Sequence, residues 1–162
     1  MSERAEELAT RLRQVSDDLV VFTVECSDEQ WRTITLAEQW PVCVVCRHIA
    51  RALEMQPQMI RQAASGQPLP SGYTWEDIHR SNAEQARDWA QISKEETLIP
   101  LRRHADEAVA FVGQMSDEQL DHTTEAPLDD TTMSVQQMVD GMIDHVRIHR
   151  ESIRATIAIM GT

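Results

Sequence analysis

The chain has 162 residues, of which 41% are hydrophobic and 26% charged, a composition that predicts one ordered globular domain spanning residues 1–162. Fifteen basic against 27 acidic residues leave a formal charge of -12, which disfavours binding to nucleic acid and to anionic membrane surfaces. No apolar run is long enough to span a bilayer, and three cysteines form no disulfide framework. We therefore expect a cytoplasmic protein.

Hydrophobic periodicity predicts the first two long helices. From Glu3 to Thr23, apolar residues recur at spacings of three and four, which indicates a helix with one face turned to a core. A second helix is expected from Pro41, whose fixed φ suits a first helical position, to about Ser65. The stretch from Ser65 to Tyr73 contains two glycines and two prolines and is predicted to be a loop.

Two further helices are predicted in the second half of the chain. Thr74 is a suitable cap for a helix that begins near Trp75 and continues to Gln114. Pro100 removes a backbone hydrogen bond, so this stretch is either one kinked helix or two helices with a break. Ser134 is expected to cap a last helix that ends near Met160.

The sequence contains few strand signals. Aromatic residues make up 4% of the chain, and the β-branched cluster Thr33–Thr35 is too short to predict a strand. We therefore predict an all-α, up-down-up-down four-helix bundle, in which the second and fourth helices run parallel. The segment Ser27–Gln30 recurs as Ser116–Gln119, which indicates either a duplicated helical hairpin or the common composition of a helix start.

Three histidines are candidate metal ligands. His145 and His149 are four residues apart, so both lie on one side of the last helix, beside its core face. His48 lies near the buried face of the second helix, roughly 10 Å from the start of that helix, and His145 lies roughly 15 Å from the start of the last helix. If the two helices run parallel, the three imidazole rings can therefore meet at the same depth in the bundle. The alternative is that all three are ordinary polar residues at the edge of the core.

Three neutral imidazoles around one divalent ion leave a coordination position open, as in catalytic sites. The ligand set suits Zn, Ni or Fe. Water or a small-molecule substrate would take the open position.

The order and spacing of these features resemble a known family. Trp40-Pro41-Val42 followed by His48, together with a terminal helix containing His145 and His149, is similar to the DinB-like (YfiT-like) superfamily. The resemblance implies a four-helix bundle, often dimeric, with a divalent metal site formed by these three histidines. It also implies activities such as thiol-dependent S-transfer or mycothiol-dependent maleylpyruvate isomerisation, with a low-molecular-weight thiol as cosubstrate. DNA binding is not implied.

Two further residues are candidates for the wall of a pocket. Asn82 lies near the start of the third helix, where similar family members often have an asparagine, and its amide could support a metal-bound water or a substrate oxygen. An exposed asparagine near a helix start is the alternative. Met142, one of several methionines at helical spacing, either fills the core or forms a soft wall against an apolar substrate.

A pair of cysteines offers a competing function. Cys43 and Cys46 form a C-x-x-C motif near a helix N-terminus, which is typical of redox thiols. The helical AhpD-like peroxidases share such a motif, but their histidine stands four residues after the second cysteine, where this chain has Ala50. The two thiols are otherwise expected to fill the core or to line the pocket.

Three functional hypotheses follow. The leading one is a divalent-metal-dependent enzyme with an open three-histidine site, acting as a thiol-dependent S-transferase, an isomerase or a hydrolase on a small molecule. The alternative is a non-catalytic bundle that binds a small molecule or a partner, and the third is a C-x-x-C redox protein. The family resemblance predicts a homodimer.

Overall fold

The computed structural model describes residues 2–161 and contains seven helices and one β-hairpin in that part of the chain. The elements in chain order are α1 (Glu3–Glu25), α2 (Asp28–Arg32), α3 (Val42–Ala64), α4 (Trp75–Asp88), α5 (Lys94–Gly113), α6 (Asp117–Asp121), β1 (Thr123–Glu125), β2 (Thr132–Ser134) and α7 (Val135–Met160).

Side-chain caps determine where most of these helices begin. A capping box, in which the cap and the third helical residue exchange hydrogen bonds, precedes α2, α4, α5, α6 and α7. The box at Ser134 confirms the predicted start of the last helix, and α3 begins directly after Pro41, as expected. The repeated Ser-Asp-Glu-Gln segments form the short helices α2 and α6, each with the same box. The repeat is therefore a helix start in both places.

The four long helices α1, α3, α5 and α7 form the predicted four-helix bundle. Helix α1 packs mainly against α5 and α7, and helix α3 packs against the same two. Their apolar stripes meet in one core that includes the fully buried Leu12, Ile49, Leu101 and Val146. Burial of such side chains is the main stabilising contribution, about 1.5–3 kcal/mol for each.

The direction of the helices differs from the expected one. Arg11 pairs with Asp140 near the start of α1 and α7, and Arg150 pairs with Asp18 further along both, so these helices run parallel. The backbone N–H of Leu36, before α3, donates to Thr156 near the end of α7. Helices α3 and α7 are therefore antiparallel, and the prediction that they run parallel is wrong.

Helix α4 explains this change of direction. It follows the loop after α3 and runs back toward the end of the bundle where α3 begins. The evidence is that the Arg32 guanidinium, before α3, donates to the backbone oxygen of Ala90, after α4. Helix α5 then starts at the same end as α3 and runs in the same direction, since the Arg61 guanidinium, late in α3, lies over the Phe111 ring, late in α5. The four long helices therefore run up-down-down-up, which differs from the predicted up-down-up-down order. The stretch from Trp75 to Gln114, predicted as one kinked helix or two helices with a break, is thus two helices. The break lies between Asp88 and Lys94, and Pro100 lies within α5.

A small β-hairpin was not expected from the sequence. Strand β1 pairs antiparallel with β2, with Thr124 opposite Met133, and the turn between them includes Asp130 at a φ of 47°. Three-residue strands provide too short an alternation to be recognised. The hairpin matters because it lies over the start of α7 and adds Met133 to a cavity wall.

Among residues 2–161, no helix is long and apolar enough to cross a bilayer. The homodimer, the cytoplasmic location and the exclusion of nucleic acid stay predictions.

Candidate metal centre

The antiparallel packing of α3 and α7 brings the three candidate histidines together. Nε2 of His145 lies 3.2 Å from Nε2 of His48 and 3.1 Å from Nε2 of His149. The ring centroids are 4.6 to 5.3 Å apart, and the rings meet nearly edge to face. Within the described chain, this is the group whose ligand atoms all lie close enough to hold one metal ion.

The geometry of the three rings, and the charge state of His48 and His145, fit a divalent cation. Zinc bound at about 2.0–2.1 Å in a tetrahedral site requires neighbouring nitrogens about 3.3 Å apart, close to the separations found here. Burial lowers the pKa of His48 to about 4 and that of His145 to about 3, so both imidazoles are neutral at physiological pH. Neutral imidazole retains the lone pair that a metal needs.

Glu38 supports one of the rings and was not identified from the sequence. Nδ1 of His149 donates to Oε1 of Glu38 at 2.8 Å, and Oγ of Ser152 donates to Oε2 at 2.7 Å. Burial raises the pKa of Glu38, but hydrogen bonds from His149, Ser152 and Thr35 outweigh it and lower the pKa to about 2. An ionised carboxylate on Nδ1 orients the ring and leaves Nε2 free to bind a metal.

A tight loop holds Glu38 in place before α3. The backbone N–H of Thr35 donates to the carbonyl of Trp40 at 2.8 Å, and that of Gln39 donates to the carbonyl of Thr35 at 3.1 Å. Gln39 adopts a φ of 60°, a left-handed conformation that costs a non-glycine residue energy. This loop, with its strained Gln39 backbone, places the Glu38 carboxylate against α7.

Two residues from other parts of the chain lie beside the His48 ring. The Trp40 ring packs edge to face against it, with centroids 5.6 Å apart, and the side chain of Gln85 from α4 lies close to it. Neither contact was identified from the sequence. Both residues can help to orient the ring.

The histidines open onto a cavity of about 420 Å³ between α3, α7 and α4. Asn82 and Ala83 line it, and the asparagine is in the middle of α4 rather than at its start. His79, one turn earlier and exposed, lines the same wall and was missed by the sequence analysis. Met142 lies in a neighbouring cavity that shares His145 with this one.

The two cysteines of the C-x-x-C motif lie elsewhere. Cys43 and Cys46 are fully buried in the core, and neither belongs to the residues that line the histidine cavity. Burial raises the pKa of Cys46 to about 12, and it also raises the pKa of Cys43. Buried, protonated thiols are poor nucleophiles, which favours the packing interpretation over the redox one.

Replacing Glu38 with Gln is expected to weaken metal binding about 10- to 100-fold, because removal of an outer-shell carboxylate leaves the histidine less basic and less well oriented. Competition with a chromophoric chelator measures the change. Glu25→Gln, which removes an exposed carboxylate at the end of α1, is the matched control and should leave the affinity unchanged. An unaltered affinity in Glu38→Gln would show that the carboxylate does not support the site.

Solved structures with the same fold include two kinds of protein. YfiT from Bacillus subtilis, described as a probable metal-dependent hydrolase with an unusual four-helix bundle topology, superposes with a TM-score of 0.80 at 18% identity, covering 99% of this chain and 90% of YfiT. Mycothiol-dependent maleylpyruvate isomerase superposes with a TM-score of 0.65 at 16% identity, and a mutant of it with 0.73 at 13%. This chain spans 63% of the isomerase, which covers 94% of this chain.

Sequence comparison gives the family directly. No curated protein matches the chain significantly. The profile of the DinB superfamily matches residues 11–153, a stretch that includes all three histidines. The chain belongs to the DinB superfamily.

Proposed function

We propose that this protein is a divalent-metal-dependent enzyme that transfers a low-molecular-weight thiol to a small electrophile. The observation on which the proposal rests is the convergence of three imidazole nitrogens, from His48, His145 and His149, beside an open cavity of about 420 Å³. Three protein ligands leave room for an exogenous one, as a catalytic site needs. The ligand set is compatible with zinc, nickel or iron.

The residues of the chain have separate tasks in this proposal. The three histidines hold the cation, which when bound supplies Lewis-acid activation by lowering the pKa of a thiol or a water. Glu38 retains the proton on Nδ1 of His149, so that Nε2 faces the centre. The Asn82 amide can orient a substrate oxygen, and the exposed imidazole of His79 can hold or release a proton at the cavity wall.

The neighbours support two versions of this chemistry. The likeness to a mycothiol-dependent isomerase supports a thiol cosubstrate. The likeness to YfiT supports a second candidate, in which water replaces the thiol and the reaction is a hydrolysis. Both reactions would use the same three histidines, so they differ only in the nucleophile, which is a thiol in the first and water in the second.

An assay of the metal-loaded protein tests the proposal. Mycothiol, bacillithiol, glutathione and coenzyme A are each offered with 1-chloro-2,4-dinitrobenzene, and 4-nitrophenyl acetate is offered without a thiol. We expect conjugation with at least one thiol, and His149→Ala should reduce it to the uncatalysed rate. His122→Ala, which removes an exposed imidazole outside the cavity, is the matched control and should retain the rate.

The outcomes distinguish the hypotheses. Ester hydrolysis that depends on metal and His149, without thiol conjugation, would replace the transferase proposal by the hydrolase. Absence of both reactions in a sample with verified metal would favour the non-catalytic binding module. Conjugation that survives metal removal and loss of His149 would overturn the proposed site altogether.

A further inference from the structure

A second cavity adjoins the histidine cavity and differs from it in chemistry. It measures about 360 Å³, and its wall is largely apolar. The side chains that dominate this wall come from α3, the following loop, β2 and α7: Met59, Leu69, Met133, Met138 and Met142. His145 lines both cavities, so the two meet at one of the proposed metal ligands.

The direction of the helices places the two cavities end to end. The apolar cavity lies along the later part of α3, at Met59, and the earlier part of α7, at Met138. The histidine cavity lies along the beginning of α3, at His48, and the later part of α7, at His149. Because α3 and α7 are antiparallel, the two cavities follow one another along this helix pair, with His145 in the wall of both.

The apolar cavity contains no charged lining residue in the part of the chain that the structure describes. A carboxylate or ammonium group placed there would lose water without gaining a partner, which is strongly unfavourable. Methionine side chains are flexible and polarisable, and they adapt to apolar groups of different shapes. The cavity therefore selects for a neutral apolar group and against a charged one.

We infer that this cavity binds a neutral, apolar arm of the substrate, while the reacting end of the same molecule lies at the three histidines. The inference rests on the proposed function and adds a substrate class to it: elongated molecules with an electrophilic or metal-binding head and an uncharged hydrocarbon arm. A charged thiol cosubstrate such as glutathione is then confined to the side of Asn82 and His79.

Gly141 provides a way to close the apolar cavity without disturbing the core. It lies in the early part of α7, lines the cavity and is exposed, and a Cβ added there meets no atom within 4 Å outside the adjacent backbone of its own helix. Glycine is also unfavourable inside a helix, so Gly141→Ala and Gly141→Leu should both fold. The leucine side chain is expected to fill part of the cavity, whereas the alanine side chain should leave most of it free.

Calorimetric titration with n-alkyl hydroxamic acids, from acetohydroxamic to octanohydroxamic acid, measures the contribution of the arm in the zinc-loaded protein. The hydroxamate head binds a metal, and only the arm changes along the series. We expect the affinity to rise about fourfold for each added methylene until the cavity is full, a factor equivalent to ~0.8 kcal/mol. An affinity independent of chain length would overturn the inference.

The variants locate the binding of the arm. In Gly141→Leu, the ratio of octanohydroxamate to acetohydroxamate affinity should fall at least about tenfold, which corresponds to the loss of roughly two buried methylenes. In Gly141→Ala, this ratio should stay close to that of the unchanged protein. Thermal unfolding of both variants verifies that they are folded. An unchanged ratio in Gly141→Leu would show that the arm binds somewhere else.

A metal-free measurement separates this inference from the proposed function. In protein labelled with carbon-13 at the methionine methyl groups, hexanamide should shift the resonances of Met138 and Met142, which Met138→Leu and Met142→Leu assign. Hexanoate and hexylammonium, of similar length but charged, should not shift them. Equal shifts from the charged molecules, or none from hexanamide, would overturn the inference. Shifts from hexanamide without binding of acetohydroxamate to zinc-loaded protein would instead overturn the proposed open metal site.

Discussion

Replacing His145 with Ala is expected to reduce bound metal from about one ion per chain to a small fraction of that, with an affinity at least about 100-fold lower. Outer-shell substitutions already cost about 10- to 100-fold, and loss of a direct ligand costs more. His145 is the central histidine of the cluster, since its Nε2 lies within 3.2 Å of the other two Nε2 atoms. Elemental analysis of protein purified without a histidine tag measures the metal content.

Two control variants make this result specific. His122→Ala removes an exposed imidazole outside the cluster and should leave the metal content unchanged. The double variant Cys43→Ser, Cys46→Ser should also retain metal, because neither thiol belongs to the cluster. Stoichiometric metal in the combined His145→Ala, His149→Ala variant would refute the three-histidine site.

Replacing Leu101 with Ala is expected to lower the free energy of unfolding by about 2–5 kcal/mol, the usual effect of deleting a buried leucine side chain. Leu101 has no exposed surface and lies on α5, which packs against both α1 and α3. A domain of this size has about 5–15 kcal/mol of stability in total, so the variant should unfold at much lower denaturant concentration. Urea unfolding followed by far-UV circular dichroism measures the change.

A residue two positions earlier on the same helix is the matched control. Ile99 is 63% exposed, so Ile99→Ala should change the stability by less than about 0.5 kcal/mol. If both variants lost the same stability, α5 would not be packed against α1 and α3 as described. If Leu101→Ala lost none, Leu101 would not be part of the core.

The relation between sequence and structure is clearest in the helices. Periodic apolar residues predicted α1 and α3 to within two residues at each end, and the Ser134 cap predicted the start of α7. These features are local, because a helix is set by spacing of three and four residues and by a cap within one turn. The sequence did not predict where α4 ends and α5 begins. Pro100 suggested a break, but it is tolerated inside α5, and the break lies earlier, between Asp88 and Lys94.

The candidate site shows the same division. The pair His145 and His149 was recognisable because both lie on one helix at a fixed spacing. Glu38 was not, since its partner His149 is 111 positions away and the intervening loop and helices have to fold before the two meet. Gln85 likewise reaches His48 only because α4 returns along α3.

Local sequence patterns specify the helices, the caps, the three candidate histidines and the family resemblance, because each depends on residue types at short and regular spacing. Long-range packing makes α3 and α7 antiparallel, brings Glu38 to His149, and places an apolar cavity beside the histidine cavity at His145. These features depend on contacts between residues distant in the chain, and such contacts depend on how the whole bundle packs rather than on any local pattern.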